Sequence, residues 1–230
     1  MQFEVRYRPA HSLAVVHLEA NETVRAEASA MISMTRNIKT ATSGPGNRAT
    51  GGLLGGLRRA VLGGESFFTN TFTAMGGPGH VTLAPRLTGD MVVHELSAGE
   101  DLFIQGTSYV AAPDSVRIDT RFQGMKGLFS GESLFFLHAS GAGPVLVNAF
   151  GAIETIELRG ELIVDTGHLV AFTSGIDYRV TTATSGLIAS YLSGEGFVLH
   201  LSGYGRLYVQ SRNPNEYGEA VGRKLPPREA

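Results

Sequence analysis

The chain has 230 residues, 43% of them hydrophobic, and a formal net charge of −2 from 19 basic and 21 acidic side chains. That is ample apolar material for a buried core, and the absence of blocks of like charge argues against nucleic-acid binding through a basic surface. There is no cysteine, which excludes disulfides, thiolate metal sites and a cysteine nucleophile.

Glycine supplies 30 residues, well above the roughly 7% average, and it is costly inside helices. An all-β chain is therefore expected. Alternation starts at once with Phe3, Val5 and Tyr7, where a secretory signal would carry a long apolar stretch, so a cytoplasmic protein is expected. Glycine clusters such as Gly76-Gly77-Pro78-Gly79, Ser140-Gly141-Ala142-Gly143 and Ser202-Gly203-Tyr204-Gly205 fall between apolar runs, as hairpin turns require.

One phrase occurs three times, as Gly64-Glu65-Ser66-Phe67-Phe68, Gly131-Glu132-Ser133-Leu134-Phe135 and Gly194-Glu195-Gly196-Phe197-Val198. The separations, 131−64 = 67 and 194−131 = 63, indicate one unit copied three times. Two further landmarks keep the same order. The stretch from Leu102 to Ala111 aligns without gaps on that from Leu162 to Ala171, with a weaker copy from Val24 to Ser33. After each Gly-Glu phrase comes a turn glycine and an alternating strand, beginning at Gly79, Gly143 and Gly205. The expected architecture is three repeats of about 65 residues, each a double-stranded β-helix or jelly-roll-like sandwich unit, arranged around a pseudo-threefold axis. Residues 1–212 form the body and 213–230, with Pro214, Pro226 and Pro227, a surface extension.

A Gly-rich insertion at about 41–64 departs from this pattern. Its second part places Leu54, Leu57 and Val61 at near-helical spacing, with Arg58 and Arg59 on the other side. Two readings follow: an element that contacts a membrane surface or protein partner, or a short helix covering an open sheet end. Gly44-Pro-Gly46-Asn-Arg-Ala49 matches a dinucleotide fingerprint in letters only, because no buried strand and helix flank it, and no lysine follows Gly51 as a P-loop needs.

The seven histidines, His11, His17, His80, His94, His138, His168 and His200, contain neither a His-x-His pair nor a His-Glu-x-x-His motif. Counted from their Gly-Glu phrases, His138 and His200 fall on opposite strand faces, which counts against a cupin-like metal site. No serine sits at nucleophile-elbow spacing. Glu65, Glu132 and Glu195 remain the polar positions of interest. Around an axis they would converge on a cation or share protons; locally, each would accept backbone N–H bonds beside its turn glycine.

Gly51-Gly52-Leu53 through Leu57-Arg58 to Gly64-Glu65-Ser66-Phe67-Phe68, followed by Gly99-Glu100, Ile104 and Tyr109-Val110-Ala111, resembles the family named for altered inheritance of mitochondria, over about Phe3 to Arg212. The resemblance implies a β-sandwich of the double-stranded β-helix type, like that of the tryptophan RNA-binding attenuation protein. It implies no catalytic residue and no cofactor, and its mitochondrial name implies at most a link to membrane organisation. RNA binding is not expected: aromatics are 8% and no aromatic-basic alternation marks a stacking platform. The expected function is a non-enzymatic structural or interaction protein acting as a homo-oligomer, with a small-ligand or cation binder, and then a cupin-like metalloenzyme, as alternatives.

Overall fold

The computed structural model describes residues 1–43, 69–121, 136–182 and 197–226. In chain order the strands are β1 (Gln2–Arg6), β2 (Leu13–Leu18), β3 (Thr23–Glu27), β4 (Met31–Met34), β5 (Ile38–Ser43), β6 (Thr69–Ala74), β7 (Gly79–Leu83), β8 (Met91–Leu96) and β9 (Asp101–Gln105). There follow β10 (Tyr109–Pro113), β11 (Val116–Arg121), β12 (Phe136–Gly141), β13 (Gly143–Asn148), β14 (Ile153–Asp165), β15 (Leu169–Thr173), β16 (Ile176–Thr182) and β17 (Phe197–Gln210). A single-turn 3-10 helix (Thr166–His168) precedes β15, and one helix, α1 (Pro214–Gly222), closes the described chain. The molecule is thus nearly all-β, as the glycine content and alternation require. The tail is partly helical, capped by the Asn213 side chain with Pro214 in the first turn and burying no residue.

All the strand ladders are antiparallel, and they follow one scheme. β6 lies between β5 and β3, β12 between β11 and β9, and the first half of β17 between β16 and residues 161–165 of β14. Similarly β7 lies between β2 and β4, β13 between β8 and β10, and the second half of β17 between the first half of β14 and β15. These half-sheets of three strands join twice. β3 pairs with β10, Ala26 opposite Ala111, giving the six-stranded order β5-β6-β3-β10-β13-β8. β9 pairs with β15, Ile104 opposite Ala171, giving β11-β12-β9-β15-β17-β14. The series is open. Two half-sheets remain unjoined among the described residues: β4-β7-β2, extended by β1, and β14-β17-β16. Among the described residues, strand pairing therefore does not close the series into a ring within the chain.

At each joint one strand, β10 or β15, buries both faces, while its partner, β3 or β9, alternates buried with half-buried residues. In β10, Val110 and Ala111 enter the core built on Val24, Phe72 and Val81, while Tyr109 and Ala112 enter the next core, with Leu102, Ile104 and Leu137. In β15, Val170 and Ala171 join that second core, and Leu169 and Phe172 the third, with Leu199, Leu201 and Leu207. Such strands read as unbroken apolar runs rather than alternations because no face meets water. Turns use residues tolerant of positive φ, such as Gly99 at +87° and Asn21 at +66°. The glycine clusters at 76–79, 140–143 and 202–205 are not the hairpin turns expected: the first two connect strands that do not pair with each other, and the third lies within β17, with Gly203 at φ +126°, where the chain passes from one half-sheet to the next. At Gly203 the backbone carbonyl of Gly175 occupies the space a Cβ would need, so only glycine fits.

One expectation is corrected by the ladders. His138 faces Phe103 and Asp119, and His200 faces Ile163 and Arg179. Counted back from Gly141 and Gly203, both stand at the third residue, on the same face. The count from the Gly-Glu phrases misassigned them because it runs through residues outside the described ones, and parity is fixed only by pairing.

Candidate functional site

The residues singled out from sequence, Glu65, Glu132 and Glu195 together with Leu54, Leu57, Arg58, Arg59 and Val61, lie outside the described residues. Three constellations of described polar groups centre on the buried side chains of Asp90, His94 and His138, each with a structural partner set. Asp90 is buried against the segment between β1 and β2, where Arg8 grips it with two donors, Nε to Oδ1 at 2.7 Å and Nη2 to Oδ2 at 2.8 Å. Ser12 Oγ and the Met91 N–H also donate to it, at 3.2 and 2.8 Å. Burial alone would raise the Asp90 pKa, but the Arg8 guanidinium and these donors together hold the carboxyl below its usual range.

His94, on β8, is buried and lies 2.8 Å through Nδ1 from the Tyr208 hydroxyl on β17, the two rings meeting edge to face. Its Nε2 stands 3.6 Å from Glu100 Oε2, beyond hydrogen-bond range. Desolvation lowers the His94 pKa, outweighing the opposing pull of Glu100. A neutral ring at this depth shares a hydrogen bond with the Tyr208 hydroxyl through Nδ1 and ties β8 to the second half of β17. His138 is stacked on Phe103, with centroids 5.3 Å apart, and its Nε2 is 3.1 Å from Asp101 Oδ2. Among the described residues no group of three or more His, Asp or Glu side chains is placed to hold a metal ion, and no helix is long and apolar enough to cross a membrane.

A different kind of feature lies at the two open half-sheets. On the edge strand β4, Met31, Ile32 and Met34 are 38%, 55% and 39% exposed, and on residues 161–164 of β14 Ile163 is 60% exposed. Beside that second edge a concavity of about 660 Å³ is lined by Glu161, Ile163, Asp177, Arg179, His200 and Ser202, among others. Sequence reasoning had the signal for the first edge without reading it. The alignment of Val24 to Ser33 on Leu102 to Ala111 makes Met31-Ile32-Ser33 the counterpart of Tyr109-Val110-Ala111, which is a buried joint.

Similarity to known proteins covers this whole arrangement. An uncharacterized protein of Streptococcus pyogenes serotype M6 is 30% identical over 231 residues, spanning 98% of this chain and 92% of that protein. A crystal structure of a Streptococcus pyogenes protein superposes with a TM-score of 0.81 at 27% identity, covering 97% of this chain and 99% of that one. Residues 3–212, the region holding every strand from β2 to β17, match the family model described as mitochondrial biogenesis AIM24. The chain belongs to that family, the one its Gly-Glu-Ser-aromatic phrase resembles.

Proposed function

We propose that the protein is a non-enzymatic structural or interaction protein that works as a homo-oligomer, built from three copies of one strand unit in an open series. Support for the copies comes from a shared irregularity. The ladders of β4, β10 and β15 each slip by one residue, between Met31 and Ser33, Tyr109 and Ala111, and Leu169 and Ala171. A bulge is a feature of a particular unit rather than of β structure in general, so three at one register speak for duplication.

The observation that carries the functional reading is the pair of bare ends. An exposed strand edge with apolar side chains is normally covered, charged or kept short, and here one end of the series bares Met31, Ile32 and Met34 and the other Ile163. Assembly removes that exposure without any catalytic group. The small-ligand reading draws on the concavity beside Ile163 and His200, which has charged groups of both signs on its wall.

Native mass spectrometry of the full chain tests both. A discrete oligomer at micromolar concentration is the expected result, and a monomer at all concentrations overturns the assembly reading. A reproducible additional mass per protomer transfers the weight to ligand binding.

A further inference from the structure

We infer that His17 on β2 and His80 on β7 form a binding site for a divalent ion of the class that favours imidazole, copper, nickel or zinc, held by one ring nitrogen from each with water in its remaining positions. Glu4 on β1 orients His17 without touching the ion. The site goes beyond the assembly reading and does not rest on it.

The pair is made by the ladder. β1, β2 and β7 lie side by side, and Gln2, His17 and His80 occupy one row across them. Directly opposite residues of antiparallel strands share a face. That face is the outer one, since Val16, Leu18 and Val81, the sequence neighbours, enter the first core. The ring centroids are 6.2 Å apart at an interplanar angle of 50°, and the His17 side chain is 47% exposed. A ring centre lies about 3 Å from a metal bound through its nitrogen, so rings 6.2 Å apart have the reach to share one ion. Rotation about the side-chain bonds sets the angle between them. With 80−17 = 63 residues between the two histidines, no sequence motif announces the pair.

The neighbouring carboxylate fixes which nitrogen is free. Glu4 Oε2 lies 3.3 Å from His17 Nε2, and Arg6 donates to both Glu4 oxygens at 2.8 Å. The bonds from Arg6, and then the one from His17, lower the Glu4 pKa to about 2. An ionised carboxylate only accepts, so Nε2 of His17 donates, and the lone pair of the neutral ring sits on Nδ1. A carboxylate that receives one imidazole N–H and leaves the other nitrogen basic is the support that metal-bound histidines commonly carry. Because Arg6 and His17 already engage Glu4, the protein offers two donors here rather than three.

The other units show that the fold does not require two imidazoles at this place. Gly79, Gly143 and Gly205 begin equivalent strand segments. The residues that follow, His80, Pro144 and Arg206, face His17, Glu95 and Glu157. In the third unit the pair is an ion pair, Arg206 Nε donating to Glu157 at 2.7 Å. Two neutral rings hold no such attraction for each other, and an ion between them supplies the cross-strand tie. Glu95, Glu157 and Arg206 are exposed although their units pack on one another, so this row meets water in the assembled series too.

Neutral imidazole selects copper, nickel and zinc over magnesium and calcium, and Cu2+ binds tightest among them. Two protein donors fall short of the three or four of catalytic and structural zinc sites, so the ion is an exchangeable clamp between β2 and β7 rather than a condition of folding.

Cu2+, Ni2+ and Zn2+, each alone, titrated into the full chain by calorimetry test the site. The expected result is one ion per protomer, with Cu2+ tightest. His17→Gln and His80→Gln should each weaken Cu2+ binding by about 100-fold, and Glu4→Gln, which keeps an acceptor but loses the charge, by about tenfold. His200→Gln, in the third unit, should leave it unchanged. Electron paramagnetic resonance of the Cu2+-loaded protein should show two nitrogen ligands in the wild type and one in either single variant. The double variant His17→Glu with His80→Arg rebuilds the third unit's ion pair, so it keeps the strands tied and should bind no ion. Failure to bind any of the three ions overturns the site, as does a single-nitrogen signal in the wild type. Undiminished binding in the double variant places the ion elsewhere and overturns it as well. Ni2+ should raise the thermal midpoint of the wild type and not of the double variant; equal shifts in both overturn the clamp.

Discussion

β10 and β4 share a bulge and a place in their ladders but not an environment. Tyr109 to Ala112 lie in the interior between two cores, whereas Met31, Ile32 and Met34 face solvent. Their sequences do not foretell this difference, since Met31-Ile-Ser-Met is as apolar as Tyr109-Val-Ala-Ala. What differs is the next strand: β10 has β3 beside it, and β4 has nothing among the described residues. Exposure here is a property of position in a series rather than of the residue string, and a strand written for burial but left bare marks where the series continues.

The largest effect that tests this comparison comes from a charge placed at equivalent registers. Ala111→Asp and Ala171→Asp put an unpartnered carboxylate into a dry core, with an expected cost of about 4 kcal/mol or more, enough to unfold a typical domain. Ser33→Asp, at the same register on β4, should change the stability of the isolated protomer by no more than about 0.5 kcal/mol. Urea unfolding midpoints compare the three. Equal losses would show that β4 is already buried and that the contrast between joint and edge is false.

A second effect concerns how the first half-sheet is anchored. Arg8 reaches from the segment after β1 to Asp90, just before β8, and so ties the bare half-sheet to the first internal joint. Asp90→Ala removes two charge-assisted bonds from Arg8 and the acceptor for Ser12 and Met91, with an expected loss of about 3 kcal/mol. Asp101→Ala, which removes the half-exposed partner of His138, should cost less than about 1 kcal/mol. Thermal unfolding of both variants checks the ranking, and a reversal would place the anchor in the second unit instead.

Much of this plan was legible in the amino-acid sequence, and the limits have physical causes. Alignment of Val24 to Ser33, Leu102 to Ala111 and Leu162 to Ala171 puts Ser33, Ala111 and Ala171 in one column, and the bulges put them there too. That worked because all three stretches are a strand, a tight turn and a strand, so residue counting follows the pleat. The relation of His138 to His200 failed because its count passed through residues 132–135 and 195–196, which lie outside the described residues, so no pairing fixes their parity. The bare edges were invisible for another reason: a sequence states which residues want burial, and only the pairing shows which of them lack it. Glu65, Glu132 and Glu195 were conspicuous by repetition, yet they lie outside the described residues.

Two strand glycines give a smaller test of the unit. Gly141 and Gly203 close the second and third hairpin ladders opposite Val116 and Ile176, at φ of +118° and +126°. Ala74 fills the matching place opposite Ile38 in the first. An alanine at Gly203 must bear both the left-handed backbone and the Gly175 carbonyl against its methyl group, for an expected cost of about 2 kcal/mol. Ala74→Gly loses chain entropy and a methyl buried in the first core but meets no backbone obstruction, for an expected cost of about 1 kcal/mol. Similar losses at the two sites would mean that the three hairpins end in the same way and that the first unit is not specialised.

The smallest effect separates the second and third units by pH. His94 on β8 and Tyr208 on β17 meet where those units pack, and desolvation keeps the His94 pKa below its ordinary value of 6.5. An unfolded chain takes up a proton on this ring as the pH falls through that ordinary value, whereas the folded chain takes it up only at lower pH, so protonation favours unfolding. Stability should therefore be unaffected by this group above about pH 7.5 and decline as the pH falls through about 6.5 toward the folded value. In His94→Gln that part of the decline should vanish, the amide still meeting the Tyr208 hydroxyl. Tyr208→Phe should retain the pH dependence at lower overall stability, since the ring stays buried. Unfolding midpoints between pH 7.5 and 5.5 decide it: an identical slope in His94→Gln would mean that the contact between the second and third units opens to water before the protein unfolds, and that the internal joints are less alike than their strand registers make them.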